Sequence, residues 1–188
     1  MRRICVYCGS SAGTRGEYAE AARELAATLV SHELELVYGG ASKGTMGLLA
    51  DAVLEFGGRV HGVIPRMLEE KEIAHRGLTK LHVVPSMHAR KSMMAELADG
   101  FIALPGGFGT LEELVEILTW SQLRFHDKPC GIVNVCGYFD ALLAYLEHAE
   151  SEGFLRPQHR AMLLCDATPE GLIRQFGNYV APRVEKWR

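Results

Sequence analysis

The chain has 188 residues, and its 20 lysines and arginines against 23 aspartates and glutamates give a net charge of −3 with histidine neutral. A protein that binds nucleic acid without sequence preference needs an excess of positive charge to neutralise phosphates, so that class is excluded. The 48% apolar and 23% charged fractions are typical of a soluble globular protein. We expect one domain over residues 1–188, because a chain of this length can form a single hydrophobic core.

The N-terminus and the cysteines favour a cytoplasmic protein without a membrane span. Arg2 and Arg3 are followed by an apolar stretch that is too short for the core of a signal peptide. No apolar run approaches the ~18 residues that a membrane span needs. The five cysteines are an odd number, and four of them lie in or beside apolar runs, where a reduced thiol packs as a small hydrophobic group. Cys5 and Cys8 have the spacing of a redox pair, but Cys5 falls inside a predicted strand, which disfavours that function.

Short runs of β-forming residues alternate with longer segments of helical periodicity along the whole chain. The predicted strands are residues 4–8, 34–38, 59–64, 80–84, 101–104, 131–135 and 162–165. The predicted helices are residues 17–31, 45–56, 88–98, 111–123, 139–151 and 169–179, and the charged segment 66–79 is expected to be a loop or a short helix beside the sheet. Strands joined by helices are mostly parallel, and right-handed crossovers place helices on both faces of the sheet. We therefore expect an α/β fold, a single Rossmann-like doubly wound domain with a mostly parallel sheet of about seven strands.

Three glycine-rich loops each follow a predicted strand and open a helix: the first loop (residues 8–11), the second loop (residues 39–47) and the third loop (residues 105–110). Glycine lets a backbone approach a ligand closely, and free amides at a helix start attract an anion. In a doubly wound fold these loops meet at the carboxyl edge of the sheet. The alternative is that they are tight turns only.

Neither standard nucleotide motif fits these loops. Gly39 and Gly44 have the spacing of a Walker A motif, but Thr45 stands where the phosphate-binding lysine belongs. The third loop begins a dinucleotide fingerprint at Gly107, yet its third glycine position is Glu112. An ATPase and an NAD-binding protein are therefore both disfavoured.

Charges at two predicted helix starts are unusual. Ser86 is the expected N-cap of a helix whose first turns carry Arg90 and Lys91, where the dipole disfavours each cation by ~0.3–1 kcal/mol. We interpret this pair as facing an anionic ligand, although side chains that simply reach water are the alternative. Thr110 and Glu113 have the spacing of a capping box, with Thr110 as N-cap. From these residues alone, Glu113 is equally well explained as a helix cap or as a catalytic group.

Two longer motifs make the comparison specific. The segment PGGFGTLEE (residues 105–113), preceded by MHARK (residues 87–91) and by the second loop, resembles the LONELY GUY family over residues 4–179. These proteins are cytokinin riboside 5′-monophosphate phosphoribohydrolases, and many were once labelled lysine decarboxylases. Ala41 and Thr45 depart mildly from the family pattern, in which glycine and leucine are common at these two positions.

The resemblance implies hydrolysis of the N-glycosidic bond of AMP or of N6-substituted AMP, giving the free base and ribose 5-phosphate. It implies catalytic roles for Arg90 and Glu113, where Glu113 stabilises positive charge on the sugar and Arg90 holds either Glu113 or a substrate oxygen. The substrate-binding residues that it implies, or that the glycine loops supply, are Gly9, Ser10, Gly39, Gly40, Gly44, Met46, Gly47, Glu72, Met87, Lys91, Gly106, Gly107, Gly109, Thr110, Glu112 and Thr119.

Several further expectations follow from the same comparison. The eight histidines form no apparent metal-ligand cluster, so hydrolysis without a metal or cofactor is expected. A pyridoxal-dependent decarboxylase is disfavoured, since context singles out no lysine except Lys91. We expect a homodimer or a higher homo-oligomer, with contacts through the helices at residues 88–98 and 111–123. We expect no nucleic-acid or membrane partner. The alternative function is a non-catalytic carrier of a nucleotide or cofactor, as in the molybdenum cofactor carrier proteins.

Overall fold

The computed structural model describes residues 1–69 and 74–182, and seven strands alternate with helices along them. The strands are β1 (Arg3–Tyr7), β2 (Glu35–Tyr38), β3 (Val60–Pro65), β4 (Lys80–Val84), β5 (Gly100–Ala103), β6 (Cys130–Val133) and β7 (Leu163–Asp166). The helices are α1 (Gly16–Ser31), α2 (Gly44–Glu55), α3 (Arg66–Glu69), α4 (Met87–Leu97), α5 (Phe108–Gln122), α6 (Asp140–Ser151), α7 (Pro157–Arg160) and α8 (Pro169–Gly177). A short 3₁₀ turn, Val135–Gly137, follows β6.

The strands form one sheet in the order β4-β3-β2-β1-β5-β6-β7, and every neighbouring pair is parallel. The chain builds outward from β1 to β4 and then returns to the other side of β1 with β5. The strand order therefore reverses between β1 and β5, and the crevice at their carboxyl ends is where such sheets bind ligands. The predicted doubly wound α/β fold is confirmed.

Both faces of the sheet are covered by apolar packing. In β1, Ile4 and Val6 pack into one cluster with residues of α1, α2 and α8. Cys5 and Tyr7, which point to the opposite face because side chains alternate along a strand, pack into a second cluster with residues of α4 and α5. Helices α4 and α5 therefore share one face of the sheet. All five cysteines are free, and none of the described helices is long and apolar enough to cross a membrane.

Most predicted boundaries are correct to within two residues, but the start of α5 is not. This helix begins at Phe108 with Gly107 as its N-cap, three residues before the predicted start, and no side chain caps it. The capping box predicted for Thr110 and Glu113 is therefore wrong, because Thr110 already lies within the first turn. The N-cap predicted at the start of α4 is confirmed, since Ser86 Oγ accepts a hydrogen bond from the Ala89 amide at 3.1 Å.

The segment between β3 and β4 begins with the short helix α3, in agreement with the prediction. Residues 70–73 lie outside the described part of the chain. Beyond them, Ala74 forms an isolated antiparallel bridge with Ala41, and the His75 amide donates to the Gly40 carbonyl at 2.9 Å. The segment therefore returns to the second loop before β4 begins.

Candidate active site

The three glycine-rich loops are in contact at the carboxyl edge of the sheet. The Met46 amide donates to the Gly9 carbonyl at 3.2 Å, which joins the second loop to the first. A Cβ atom on Gly44 would lie 2.3 Å from the Ser10 carbonyl carbon, and one on Gly106 would lie 2.9 Å from the Gly9 amide nitrogen. Side chains at these positions would force the loops apart. Glycine is therefore what allows three strand ends to form one continuous site.

Three glycines of the second loop serve different purposes. A Cβ atom on Gly39 would lie 1.9 Å from Nη2 of Arg90, so the missing side chain is the space that the guanidinium group occupies. Gly40 has a φ of +78°, a left-handed conformation that side chains disfavour. Gly47 has a third function, because its missing side chain lets the loop close on the Ser42 carbonyl oxygen.

The third loop presents free backbone amides at the start of α5. A Cβ atom on Gly107 or Gly109 would meet no atom within 4 Å, so no packing within the described chain requires glycine there. The amides of residues 107–110 donate to no atom of the described chain. Unpaired amides at the positive end of a helix suit an anion such as phosphate. A cavity of about 270 Å³ lies between the first and third loops, and Tyr18, Thr45 and Tyr138 also line it.

Arg90 and Glu113 form a buried ion pair beside these loops. Arg90 Nη1 donates to Glu113 Oε1 at 2.8 Å, and each residue is only 9% exposed. Arg90 Nε donates to the carbonyl of Val63 in β3, at 3.2 Å, so two contacts orient the guanidinium group. Its Nη2 donates to no atom of the described chain. Arg90 therefore holds Glu113, which is one of the two alternatives that the sequence left open.

The environment of Glu113 opposes its negative charge. Burial raises the pKa of Glu113 above its ordinary value, while the positive charge of Arg90 counteracts part of that rise. Only Oε1 is held by the protein, and Oε2 accepts no hydrogen bond from the described chain. The electrostatic interaction of such a carboxylate with a positive charge that develops next to it is strong, because little solvent screens it.

Lys91 is held by the side of α5. Its Nζ donates to Glu112 Oε1 at 2.5 Å and to Glu116 Oε1 at 3.0 Å. Burial of the ammonium group opposes its charge, but these hydrogen bonds outweigh that effect and raise the pKa of Lys91. The sequence suggested that Arg90 and Lys91 face an anionic ligand. In this structure the negative charges that they contact are instead glutamates of α5.

The remaining predicted site residues are not all brought together. Met87 is the first residue of α4 and is 43% exposed. Thr119 lies three turns along α5, where its Oγ1 donates to the Val115 carbonyl at 2.7 Å, and it lines a separate apolar cleft between α5 and α6. The structure therefore does not place Thr119 among the loops. Glu72 lies outside the described residues.

Sequence reasoning missed the aromatic side of the cavity. Tyr138, which follows the 3₁₀ turn after β6, donates its hydroxyl to the Gly106 carbonyl at 2.6 Å. Its ring meets the Tyr18 ring edge to face, with centroids 5.7 Å apart. Gly137 comes two residues after the predicted strand 131–135 and marks a fourth strand-end turn, and that signal could have drawn attention to it.

Within the described ranges, no group of three or more His, Cys, Asp or Glu side chains is arranged to hold a metal ion. The site consists instead of backbone amides, one buried ion pair and an aromatic wall. This chemistry suits the binding of a phosphorylated ligand and the stabilisation of positive charge next to a carboxylate.

A family model described as "Possible lysine decarboxylase" matches residues 46–176, which include the third loop and both members of the ion pair. A cytokinin riboside 5′-monophosphate phosphoribohydrolase from Arabidopsis thaliana is 48% identical over 186 residues, covering 99% of this chain and 87% of that protein. The chain belongs to the LONELY GUY family. A probable enzyme of the same name from Oryza sativa subsp. japonica is also 48% identical and covers 99% of this chain and 76% of its own length.

Solved structures with the same fold extend beyond the LONELY GUY family. The molybdenum cofactor binding protein of Rippkaea orientalis is 19% identical with a TM-score of 0.71, covering 94% of this chain and 96% of that one. The molybdenum cofactor carrier protein of Chlamydomonas reinhardtii is 21% identical with the same TM-score and the same coverage. At this level of identity the likeness concerns the fold alone.

Proposed function

We propose that this LONELY GUY family protein hydrolyses the N-glycosidic bond of a cytokinin riboside 5′-monophosphate, an N6-substituted AMP, or of AMP itself. The bond between C1′ of the ribose and the base nitrogen breaks, the hydroxyl of water joins C1′, and the proton goes to the base. The products are the free base and ribose 5-phosphate. The observation that carries the proposal is the buried Arg90–Glu113 pair beside three glycine loops that suit a phosphate. The names of the similar plant enzymes support it.

Glu113 is the catalytic carboxylate in this proposal. Cleavage of the ribosyl bond builds positive charge on the sugar, and a fixed carboxylate stabilises that charge without having to reorganise. Arg90 holds Oε1 at 2.8 Å, so Oε2 is the oxygen that faces the anomeric carbon or orients the attacking water. Arg90 also keeps Nη2 for a ribose oxygen of the substrate.

The amides of residues 107–110 bind the 5′-phosphate. Because the phosphate is remote from the reacting carbon, its binding energy orients the ribose against Glu113. A nucleoside without the phosphate is therefore expected to be a poor substrate. The amides of residues 108–110 and Glu113 belong to the same helix, α5, which keeps the phosphate site and the catalytic carboxylate at a constant separation.

The chemistry of Lys91 argues against decarboxylation by this site, in spite of the description attached to the family model. A lysine that forms a Schiff base must lose its proton, whereas the hydrogen bonds to Glu112 and Glu116 stabilise the charged form of Lys91.

The test is incubation of the protein with AMP, N6-isopentenyl-AMP and the two matching nucleosides, followed by chromatography of the free bases. We expect base release from one or both nucleotides and at least roughly a hundredfold lower kcat/KM for the nucleosides. If the protein binds the nucleotides but releases no base from them, the proposal fails and the non-catalytic carrier becomes the better explanation.

We also propose that the protein works as a homodimer or higher homo-oligomer through α4 and α5. On α5, Phe108, Leu111 and Val115 are 94%, 40% and 47% exposed, and their spacing places them along one side of the helix. Such a stripe gains from burial against a second copy. Light scattering after gel filtration should give at least twice the chain mass, and Val115→Glu should lower it, while Tyr145→Glu on the exposed side of α6 should not. A monomeric mass for the unmodified protein would refute this.

A cytoplasmic location is part of the same proposal. The five free cysteines suit a reducing compartment. A fluorescent fusion should distribute through the cytoplasm, and accumulation in a secretory compartment would contradict the proposal.

A further inference from the structure

Tyr138 makes a hydrogen bond that burial does not require. Its hydroxyl donates to the Gly106 carbonyl at 2.6 Å, although the residue is 43% exposed and water could take the same place. The ring is also positioned by edge-to-face contacts with Tyr18 at 5.7 Å and with Phe139 at 5.0 Å between centroids. These three contacts hold a half-exposed side chain in one orientation, so Tyr138 orders the third loop more than it contributes to the hydrophobic core.

The conformation of the turn before Tyr138 determines the direction of its side chain. Cys136 and Gly137 both have left-handed φ values, 50° and 70°, and the first of these is unfavourable for a residue with a side chain. Asn134 closes the turn, since its Oδ1 accepts from the Phe139 amide at 2.8 Å and its Nδ2 donates to Asp140 Oδ1 at 2.7 Å. Hydrogen bonds between Asn134, before Tyr138, and Phe139 and Asp140, after it, therefore hold the turn in place.

The acceptor of this bond belongs to an unusual peptide unit. The carbonyl of Gly106 and the amide of Gly107 lie in one planar trans peptide and point in opposite directions. Glycine on both sides makes rotation of this unit easier than anywhere else in the third loop, because neither residue has a Cβ atom. A donor that holds the Gly106 carbonyl therefore also determines where the Gly107 amide points. That amide donates to no atom of the described chain.

We propose that Tyr138 is a positioning residue for the 5′-phosphate: its hydroxyl fastens the Gly106–Gly107 peptide so that the Gly107 amide faces the phosphate. The proposal rests on the function proposed above and adds a residue from the turn after β6 to the three glycine-rich loops after β1, β2 and β5. Loss of the hydroxyl leaves the peptide free to rotate, which weakens phosphate binding but leaves Arg90 and Glu113 in place.

The test compares Tyr138→Phe with the unmodified enzyme and with Tyr145→Phe, which removes the same hydroxyl from an exposed position on α6. For Tyr138→Phe we expect KM for the nucleotide to rise about three- to tenfold, the range of one lost hydrogen bond, with kcat within twofold. Calorimetric titration with ribose 5-phosphate, which needs no turnover, should show the same weakening. Activity on the nucleoside should not change, because it has no phosphate to bind.

Three results would overturn the proposal. One is an unchanged KM and an unchanged affinity for ribose 5-phosphate. Another is an equal loss for nucleotide and nucleoside, which would indicate a general structural role. The third is a fall in kcat alone, which would place Tyr138 at the reacting bond. Failure of the proposed function is a separate result, since the unmodified enzyme would then release no base while the titration with ribose 5-phosphate still reports on Tyr138.

Discussion

Replacement of Glu113 by glutamine isolates the charge of the carboxylate from its shape. Glutamine keeps an oxygen for Arg90 Nη1 at the position where the hydrogen bond is now 2.8 Å long, so the guanidinium group should stay in place. What disappears is the negative charge next to the anomeric carbon. The fold should tolerate this change, because burial raises the pKa of Glu113, which means that the folded protein already favours the neutral form relative to the unfolded chain.

The size of the effect follows from the surroundings of the pair. Arg90 and Glu113 are each 9% exposed, so solvent screens the carboxylate weakly and its interaction with a developing cation is strong. Removal of one preorganised electrostatic group from such a site costs ~2–4 kcal/mol of transition-state stabilisation. The corresponding loss of kcat is roughly 30- to 1,000-fold.

The assay is steady-state release of free base from AMP and N6-isopentenyl-AMP, with thermal unfolding of each variant measured in parallel. Glu147→Gln, at an exposed position of α6, is the matched control and should keep full activity. If Glu113→Gln turns over at the unmodified rate with an unchanged melting temperature, the charge of Glu113 has no part in catalysis and the reasoning above is wrong.

Three further predictions concern the same structure. Gly39→Ala should lower kcat/KM by about 100-fold, because the added Cβ would lie 1.9 Å from Arg90 Nη2 and displace it, whereas Gly16→Ala, with open space around it, should keep full activity; equal rates for both variants would show that the position of Arg90 does not matter. The acid limb of the kcat/KM pH profile should have an apparent pKa above 4.5, since Glu113 must be ionised and burial raises its pKa; a limb at or below that value would contradict the assignment. Glu35 is buried, but hydrogen bonds from Arg3 and His61 lower its pKa from 4.5 to about 2, so its contribution to stability should be present above pH 4.5 and lost as the pH falls toward about 2. Denaturant titrations should show that Glu35→Gln removes up to about 3 kcal/mol of this pH-dependent stability, and an unchanged acid dependence would refute the prediction.

Local sequence patterns were sufficient for the fold, and they drew attention to the residues of the candidate site. Alternating strands and helices predicted the parallel sheet, and the three glycine loops and both members of the Arg90–Glu113 pair stood in recognisable motifs. What the sequence left open was whether Arg90 holds Glu113 or a substrate oxygen. The spacing of Thr110 and Glu113 suggested a helix cap, yet α5 begins earlier and Glu113 turns to Arg90, 23 positions away along the chain.

The contact of Tyr138 with the third loop could not be predicted from local sequence either. Tyr138 enters the site from the turn after β6, 32 positions after the Gly106 carbonyl that it contacts, and no local period connects the two. Thr119 is the reverse case, since it lies on the same helix as Glu113, six positions further along, but lines a separate cleft between α5 and α6. Helix phase and strand order decide which side chains meet, and both are properties of the assembled sheet.

The order of residues alone thus determined the elements, because strand and helix formation depend on the periodicity of neighbouring side chains and on glycine at the turns. The partners of the charged groups were decided only when β1 and β5 came to lie side by side and α4 and α5 packed on one face. A buried arginine and a buried glutamate pair with whatever opposite charge the fold brings within hydrogen-bonding distance. That distance is set by contacts between residues far apart in the chain, which no short segment of sequence contains.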